Sequence, residues 1–508
     1  MVFDARRSAA VLADERGTLY RRARQELVLC YPNNYRVAGA SLGFQVVYRA
    51  LNSRQSISCE RAVLPDDCFD DGWRGPLRSM EHGQPLGAFS VVLFSIAYEL
   101  DIPHLAWMLQ AGGLAALVDD RGEQVAPVIV GGPMTQSNAL PLGPFVDAVV
   151  MGEAEDALED LLDALEADLP KPQLLRRLAE IRGVWVPSLH GDAVPNVLVA
   201  RGAHIPAHGV WTSPHSEFRD MALLETSRGC PRYCKFCVVR APASPMRSPE
   251  LERVVNALDH GIYRDAERVG FVGAAVSDWP FIKGALRAAI DRGKGVGISS
   301  LRADKLDEEF VELLQLGGYR TLTVASDAPS QRMRGKMMKG LRERHFLAVA
   351  ELARTFRMKQ MKMYLILGLP EEEDSDLTEL IDLCGQLSTR VPLAITISPF
   401  VPKLHTPLAE APFESIPVMM KRLKTVQKAL RRRVDVRFDS PRWAWIEYRL
   451  SQGGRATGLA AWQAFQAGGA YADYKRAFAE LDADDASEQR AAVAAAERHD
   501  LWALRGAR

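Results

Sequence analysis

The feature that most constrains the fold is a repeated alternation of short apolar runs with segments of helical pattern. In the first third of the chain, apolar runs recur at 27–30, 59–64, 88–95, 128–130 and 148–151. Short apolar runs separated by helices are typical of buried parallel strands joined by crossover helices. The pattern predicts a doubly wound α/β domain with the most apolar run, 88–95, near its centre.

Local signals refine the start of this domain. The residues from Tyr31 to Asn34, which include Pro32, are expected to break the first strand. Ser41 is a suitable N-cap for an amphipathic helix over about 42–52, because its hydroxyl can accept a hydrogen bond from the first turn. A short strand is expected at 183–187.

The same alternation resumes later in the chain and predicts six more strands, at 221–225, 268–272, 297–301, 321–324, 363–367 and 394–398. Six parallel strands with intervening helices form a partial (β/α)6 barrel that is open on one side. Ligands of such barrels bind at the carboxyl ends of the strands.

A chain of 508 residues has room for about three domains. We predict a helical lead-in, an α/β domain, a connector, a barrel domain and a C-terminal helical region, at 1–26, 27–170, 171–216, 217–412 and 413–508. Three tryptophans indicate that the last region packs as a helical cap: Trp443, Trp445 and Trp462. The stretch 481–508 is poor in aromatic residues and is expected to be loosely held.

Three of the seven cysteines lie within eight residues, directly after the first barrel strand: Cys230, Cys234 and Cys237. A structural zinc site ordinarily needs four ligands, and no further cysteine or paired histidine stands at a suitable spacing. An iron–sulfur cluster is ordinarily held by four thiolates, so three would leave one iron open to a substrate or cofactor. The alternative is that these are small buried residues, but buried cysteine has no preference for this spacing.

The C-x-x-x-C-x-x-C pattern resembles that of the radical S-adenosylmethionine (SAM) superfamily. The resemblance implies that Cys230, Cys234 and Cys237 bind a 4Fe-4S cluster and that SAM binds the open iron. It further implies reductive cleavage of SAM to a 5'-deoxyadenosyl radical. Phe236 matches the aromatic residue that this family places near the adenine of SAM.

The same resemblance implies SAM contacts at the ends of later strands. Gly273 and Ala274 occupy the place of a glycine-rich turn, although the usual acidic residue after it is missing. The remaining expected contacts are polar residues: Ser299, Arg302, Asp327 and Arg332. An arginine there could pair with the SAM carboxylate. For Arg332 and Arg334, a solvated helix face is an equal alternative.

Motifs in the first domain are similar to those of a largely uncharacterised radical SAM family with a cobalamin-binding domain. They include the segments starting at Tyr31, Phe94, Val130 and Met151. The resemblance implies a Rossmann-like, cobalamin-binding-type domain that faces the barrel, with cobalamin contacts from glycines and polar residues at strand ends: Ser95, Gly131, Gly132, Gly152 and Glu153. The D-x-H-x-x-G cobalt-ligand motif is absent, and His104 is expected on a helix surface.

Two other functions stay open at this point. A methylthiotransferase-like enzyme would need a second cluster, for which the candidate ligands are Cys30, Cys59 and Cys68. A catalytically inactive iron–sulfur protein is favoured by the missing acidic residue near Gly273. The segment that follows the sixth barrel strand contains two further candidates to face a substrate, Lys403 and His405.

Charge and hydropathy limit the partners. The chain has 63 Lys and Arg against 64 Asp and Glu, which gives no global argument for binding nucleic acid or a membrane surface. No apolar run reaches the length of a membrane span, and the first residues lack the apolar core of a signal peptide. We expect a cytoplasmic protein with reduced thiols, an unknown substrate, and an electron donor such as flavodoxin or ferredoxin.

Overall fold

A computed structural model describes residues 5–19, 21–66, 68, 75–240, 245–299 and 301–483. The prediction for the C-terminal stretch 481–508 lies outside the described residues from 484 onward. The strands of the described residues are β1 (Gln25–Asn34), β2 (Ile57–Leu64), β3 (Val91–Ser95), β4 (Val128–Gly131), β5 (Ala148–Val150), β6 (Val184–Trp185), β7 (Met221–Ser227), β8 (Arg268–Gly273), β9 (Gly295–Ile298), β10 (Thr321–Ala325), β11 (Gln360–Leu367), β12 (Leu393–Pro399) and β13 (Val434–Phe438).

Helices alternate with these strands through most of the chain. The α-helices of the described residues are α1 (Ala5–Asp14), α2 (Tyr35–Ala38), α3 (Leu42–Ser53), α4 (Ile102–Ala111), α5 (Leu158–Glu166), α6 (Lys171–Glu180), α7 (Pro187–His190), α8 (Leu251–Ala257), α9 (Gly261–Asp265), α10 (Ile282–Asp291), α11 (Glu308–Leu316), α12 (Gln331–Lys336), α13 (Glu343–Thr355), α14 (Asp374–Ser388), α15 (Ile416–Leu430), α16 (Pro441–Gln452) and α17 (Arg455–Gln466). Helical residues continue at 471–483.

The first half of the chain forms one sheet in the order β2-β1-β3-β4-β5-β6. Neighbours from β2 to β5 are parallel, and β6 is antiparallel to β5. The predicted α/β domain is therefore present, with β3 inside the sheet as its apolar sequence predicted. The order 2-1-3-4-5 is that of a doubly wound sheet, in which ligands bind beyond the carboxyl ends of the strands.

The start of this sheet corrects one prediction. The first strand does not end before Tyr31: β1 continues to Asn34, and its pairing with β2 shifts register between Tyr31 and Asn34. Pro32 lacks an N–H, but the ladder tolerates it because pairing lapses there and resumes beyond it. The helix signal was correct, since Ser41 Oγ accepts a hydrogen bond of 3.3 Å from the amide of Phe44 at the start of α3.

The barrel strands lie in two parallel sheets of the described residues, β7-β8-β9 and β10-β11-β12-β13. An isolated parallel bridge between Leu301 and Val324 connects the end of the first sheet to the second. All six predicted strands are present, and the arrangement is an open barrel.

β13 is an addition to the prediction, because it lies in the region 413–508 that was predicted to be helical. It pairs parallel to β12 and extends the open barrel by one strand. Its alternating sequence, Val434-Asp-Val-Arg-Phe438, has the period of a half-buried strand and was a usable signal.

The C-terminal helices return to the first domain. Side chains of α16, α17 and residues 471–483 share an apolar core with strands β1 and β3 and helix α4, including Ile446, Leu450, Trp462 and Phe478. The contact is close at Gly458, where a Cβ atom would lie 2.0 Å from the carbonyl oxygen of Pro141. The packed helical cap predicted from the tryptophans is therefore built against the α/β domain.

In the part of the chain that the structure describes, none of the helices combines the length and apolarity that crossing a lipid bilayer requires.

Candidate functional site

The cysteine loop begins where the first barrel strand ends. Every residue of β7 is buried, and Arg228, the next residue, pairs its backbone with Arg247 through two hydrogen bonds of 2.8 Å. We call this antiparallel pair, Arg228 with Arg247, the loop base. Gly229 follows in the left-handed region at φ 76° and turns the chain into Cys230. The three cysteines thus lie at the carboxyl end of a barrel strand, where barrel chemistry is found.

The thiols are free, and they share one environment. Cys234 is buried and the other two are half-buried. Burial raises the pKa of Cys234, and the nearby positive charges of Lys339 and Arg302 oppose that rise. The pKa of Cys237 is also raised, first by burial and then by the neighbouring thiols.

The three thiols are suitable ligands for an iron–sulfur cluster because of their chemical type, although they are not arranged as a ready-made metal site. Among the described residues, no three His, Cys, Asp or Glu side chains are grouped closely enough to hold a metal ion. Three free thiols on one loop are nevertheless the soft donor set that iron–sulfur clusters use. These three thiols are the groups that would hold the cluster.

The rest of the barrel holds the loop from its other side. The amide of Lys235 donates to the carbonyl of Met337 at 3.1 Å, and Arg232 forms an ion pair with buried Asp278. Phe236 is half-buried and packs against a small apolar cluster: Ala328, Met333, Met337, Leu369 and Phe400. The predicted adenine-side aromatic is therefore anchored at the edge of the loop.

Two of the predicted SAM contacts lie on the next strand. Gly273 pairs with Ser227 in the β7–β8 ladder, and a Cβ there would come within 2.5 Å of the Ser227 carbonyl oxygen and hydroxyl. Only glycine permits this approach. Ala274 is exposed in the following turn, and Ser299 is exposed after β9.

Two further predicted contacts meet beside Cys234. Arg302 binds Asp304 through bonds of 3.0 and 3.1 Å and donates to the carbonyl of Lys339 at 3.1 Å. Asp327 follows β10 with a left-handed backbone, φ 54°, and forms an ion pair with Lys339. Arg302, Asp327 and Lys339 all contribute to the electrostatic environment of the Cys234 thiol.

The two arginines of α12 have protein partners. Arg332 pairs with Asp376 of α14 and donates to the carbonyl of Glu371 at 3.1 Å. Arg334 is buried, with its guanidinium 5.2 Å from the ring centre of Phe346. Arg334 is therefore not on a solvated face.

The residues predicted to contact cobalamin gather at the carboxyl edge of the first sheet. Ser95 pairs with Gly131, and the amide of Gly152 donates to Thr135 Oγ1 at 2.9 Å. Gly132 and Gly152 have φ angles of 117° and 83°. A Cβ at Gly132 would lie 2.4 Å from the Ile96 carbonyl oxygen, and one at Gly152 would lie 2.4 Å from Val197. Packing against the chain itself accounts for glycine at these two positions.

Glu153 is buried and fully engaged by protein groups. Arg247 donates to both of its carboxylate oxygens at 2.8 Å, and the amide of Ala200 donates to Oε2 at 2.7 Å. Burial acts to raise its pKa, but the bonds from Arg247 and Ala200 and the charge of Arg228 outweigh burial, so the pKa is lowered.

A second contact between the two halves of the chain surrounds Lys403, just after β12. Its Nζ lies 2.6 Å from Glu99 Oε1, in the first domain, and 2.6 Å from Glu447 Oε1, on α16. We call these three residues the Lys403 cluster. Tyr98 donates to Glu447 Oε2 at 2.5 Å. Lys403 is thus an ion-pair partner between elements, and His405 is exposed with a left-handed backbone at φ 63°.

The two contacts have a common geometry. Glu99 and Glu153 follow β3 and β5 of the first sheet, whereas Lys403 and Arg228 follow β12 and β7 of the barrel. The carboxyl edge of the first-domain sheet therefore faces the carboxyl edge of the barrel strands. Ligand sites of both fold types lie at these edges.

The other cysteines are core residues. Cys30 and Cys68 belong to the apolar core on one face of the first sheet, and Cys59 belongs to the core on the other face. Burial raises the pKa of Cys30 and Cys59. His104 is half-buried, with its ring 5.9 Å from that of Phe465.

Sequence reasoning missed the residues that join the two halves. Glu447, Arg228 and Arg247 carried no motif, and Glu99 lay in the motif segment that starts at Phe94 but was not singled out. The position of Arg228, two residues before Cys230, was the nearest available signal. The first-domain partners of Arg228 and Arg247 are distant in sequence, and only the tertiary structure identifies them.

The fold and the cysteine loop define a class: an α/β protein with a doubly wound domain joined to an open parallel barrel. Two family models match the chain: "Radical SAM proteins, N-terminal" over residues 43–187 and "Radical SAM superfamily" over residues 224–384. The chain is a member of the radical SAM superfamily of enzymes.

Relatives and a solved structure agree with this membership. An uncharacterized protein of Methanocaldococcus jannaschii is 29% identical over 60% of this chain and 66% of its own length. An uncharacterized methyltransferase of Pyrococcus horikoshii is 24% identical over 55% of this chain and 62% of its own length. The alignments thus span slightly less than two thirds of either relative.

The fold is similar to that of the radical SAM methyltransferase TsrM from Kitasatospora setae, solved with cobalamin and a 4Fe-4S cluster bound. The TM-score is 0.53 at 17% identity, with 79% of this chain and 75% of that chain covered.

Proposed function

We propose that the protein is a radical SAM enzyme that binds a 4Fe-4S cluster through Cys230, Cys234 and Cys237 and cleaves SAM reductively. When bound, the cluster supplies the electron that breaks the sulfonium bond and yields a 5'-deoxyadenosyl radical. The observation that carries the proposal is the position of these cysteines at a barrel edge that faces a second ligand-binding edge.

The residues around Cys234 support a role in holding SAM. Arg302, Asp327 and Lys339 form a charged group next to the cysteine loop, and SAM carries both an ammonium and a carboxylate. Phe236 offers an apolar face at the same loop. We propose that this group orients SAM, with Ala274 and Ser299 lining the exposed side of the site.

We further propose that the first domain binds cobalamin and that the reaction is a cobalamin-assisted methylation or rearrangement of an unknown substrate. The similarity to TsrM, which binds cobalamin, and to the Pyrococcus methyltransferase supports this choice. The site would lie at the carboxyl edge near Ser95 and Gly131. An electron donor such as flavodoxin or ferredoxin and a cytoplasmic location complete the proposal.

The methylthiotransferase alternative has weaker support. A ribosomal protein uS12 methylthiotransferase of Helicobacter pylori is 21% identical over 36% of this chain. A second cluster would need neighbouring thiols, whereas Cys30 and Cys59 are buried in cores on opposite faces of the first sheet. That separation favours one cluster per chain.

Anaerobic reconstitution tests the proposal. The protein should bind about four irons per chain and convert SAM to 5'-deoxyadenosine under reducing conditions. Cys234→Ala should lose both properties, whereas Cys384→Ala, a change at a buried cysteine of α14, should keep them. Iron binding without SAM cleavage would instead support an inactive iron–sulfur protein. Failure to take up added cobalamin would remove the cobalamin part of the proposal.

A further inference from the structure

The base of the cysteine loop is held by carboxylates from the other domain. Arg228 and Arg247, whose backbones form the loop base, both direct their guanidinium groups toward Glu153. Arg247 binds both oxygens of Glu153 at 2.8 Å, and Arg228 Nη1 lies 3.6 Å from Glu153 Oε2. One carboxylate thus contacts both strands of the loop base.

The same arginines have partners that fix their orientation. Arg228 binds Glu225, on its own strand β7, through bonds of 2.8 and 2.9 Å, and it reaches Glu155 at 2.5 Å. These contacts raise the pKa of Arg228 against the opposing effect of burial. Bidentate arginine–carboxylate pairs fix both partners in direction as well as in distance.

Both carboxylate oxygens of Glu153 already accept hydrogen bonds from the protein. Oε1 accepts from Arg247, and Oε2 accepts from Arg247 and from the amide of Ala200. The side chain is only 7% exposed. A buried carboxylate with three close donors is a structural anchor, and removing its charge leaves two half-buried arginines without their common partner.

We propose that Glu153 is a positioning residue that fixes the loop base and thereby the three cysteines relative to the first domain. This inference rests on the proposed function, because the value of a fixed loop lies in binding the cluster. It assigns Glu153 to the cysteine loop rather than to cobalamin. The contacts of Glu153 with Arg228 and Arg247 thus join the carboxyl edge of the first-domain sheet to the cysteine loop.

Hydrogen exchange on the metal-free chain tests the positioning directly. The amides of Arg228 and Arg247 each donate to the carbonyl of the other, so their exchange reports on the loop base. Glu153→Gln should accelerate exchange at both amides by about tenfold or more. The matched control is Glu159→Gln, at an exposed glutamate of α5. It should leave both amides unchanged.

A second measurement follows the cluster itself. After anaerobic reconstitution, Glu153→Gln should hold no more than about half the iron of the wild type and give an altered paramagnetic resonance spectrum of the reduced cluster. Glu153→Asp should restore part of both properties. Unchanged exchange at the β3 amides would show that the variant has kept its first domain folded.

The outcomes separate the two proposals. Wild-type exchange rates and iron content in Glu153→Gln would overturn the positioning role. If the wild type itself bound no cluster, the proposed function would fail, and the exchange of the Arg228 and Arg247 amides would still decide whether Glu153 holds the loop base. Accelerated exchange throughout β3 would also overturn the inference, because it would show a general rather than a local effect.

Discussion

Replacing Lys403 with methionine is the sharpest test of how the two halves are held together. The substitution keeps most of the side-chain volume but leaves Glu99 and Glu447 facing each other without a cation. At an effective dielectric constant of about 20, each ion pair at 2.6 Å attracts by about 6 kcal/mol before desolvation is subtracted. Measured losses on breaking buried pairs are about 3–5 kcal/mol, and we expect a loss of that size near pH 8.

The loss should depend on pH with a definite sign. Burial raises the pKa of Glu99, and Lys403 is the main group that opposes the rise. Burial would lower the pKa of Lys403, but the two carboxylates outweigh it and raise that pKa. Without Lys403, the pKa of Glu99 rises further above its unfolded value. A carboxyl group with a raised folded pKa stabilises the fold at low pH and loses that contribution as pH rises. The penalty of Lys403→Met should therefore be smallest near about pH 5.

Urea unfolding of the metal-free protein, followed by circular dichroism at about pH 5 and about pH 8, measures both effects. Lys424→Met, at an exposed lysine of α15, is the matched control and should change stability by less than about 0.5 kcal/mol. Combining Lys403→Met with Glu99→Gln and Glu447→Gln should recover most of the loss. A pH-independent penalty, or no recovery in the triple variant, would refute the reasoning.

Three further predictions concern glycine, a titrating carboxyl group and a core cysteine. Gly132→Ala should destabilise the fold by about 2–4 kcal/mol in urea unfolding, because its Cβ would meet a backbone carbonyl. Gly113 also has a positive φ, 88°, but a Cβ there would meet no other atom, so Gly113→Ala should lower the free energy of unfolding by only about 1 kcal/mol. Equal losses of stability in the two variants would refute the steric argument. Burial raises the pKa of Glu372 to about 7. The protonated Glu372 therefore contributes its whole stabilising effect on the fold below about pH 4, and this contribution is lost as the pH rises through about 7. Glu372→Gln should remove up to about 3 kcal/mol of that pH dependence, and an unchanged slope would contradict the assignment. Cys59→Ala should keep about four irons per chain, and loss of iron would indicate a second cluster.

Local patterns predicted most elements of the fold. The apolar runs identified every barrel strand up to β12, because buried parallel strands need continuous apolar sequence. Errors arose where a local signal competed with pairing. Pro32 suggested that the first strand ends, but β1 pairs with β2 again at Asn34 after an interruption. The strand β13 was overlooked within a region of helical composition.

The candidate site was likewise predictable where its residues are close in sequence and not where they are distant. The spacing of Cys230, Cys234 and Cys237 indicated a cluster loop because all its donors lie in one short segment. Asp327 was an expected SAM contact, and Lys339, its ion-pair partner, lies only 12 residues further along the chain. By contrast, a role for Glu153 in holding the loop was invisible, since Arg247 lies 94 residues away.

The sequence by itself determined the strands, the cysteine loop and the superfamily, because each depends on residues within a few turns of chain. Only the tertiary structure decided how the α/β domain and the barrel meet. The contact between Lys403 and Glu99 spans 304 residues, and α16 supplies the third member of that cluster from the far end of the described chain. Ion pairs across such distances leave no periodicity or motif, since their geometry exists only when both sheets are folded and their carboxyl edges face each other.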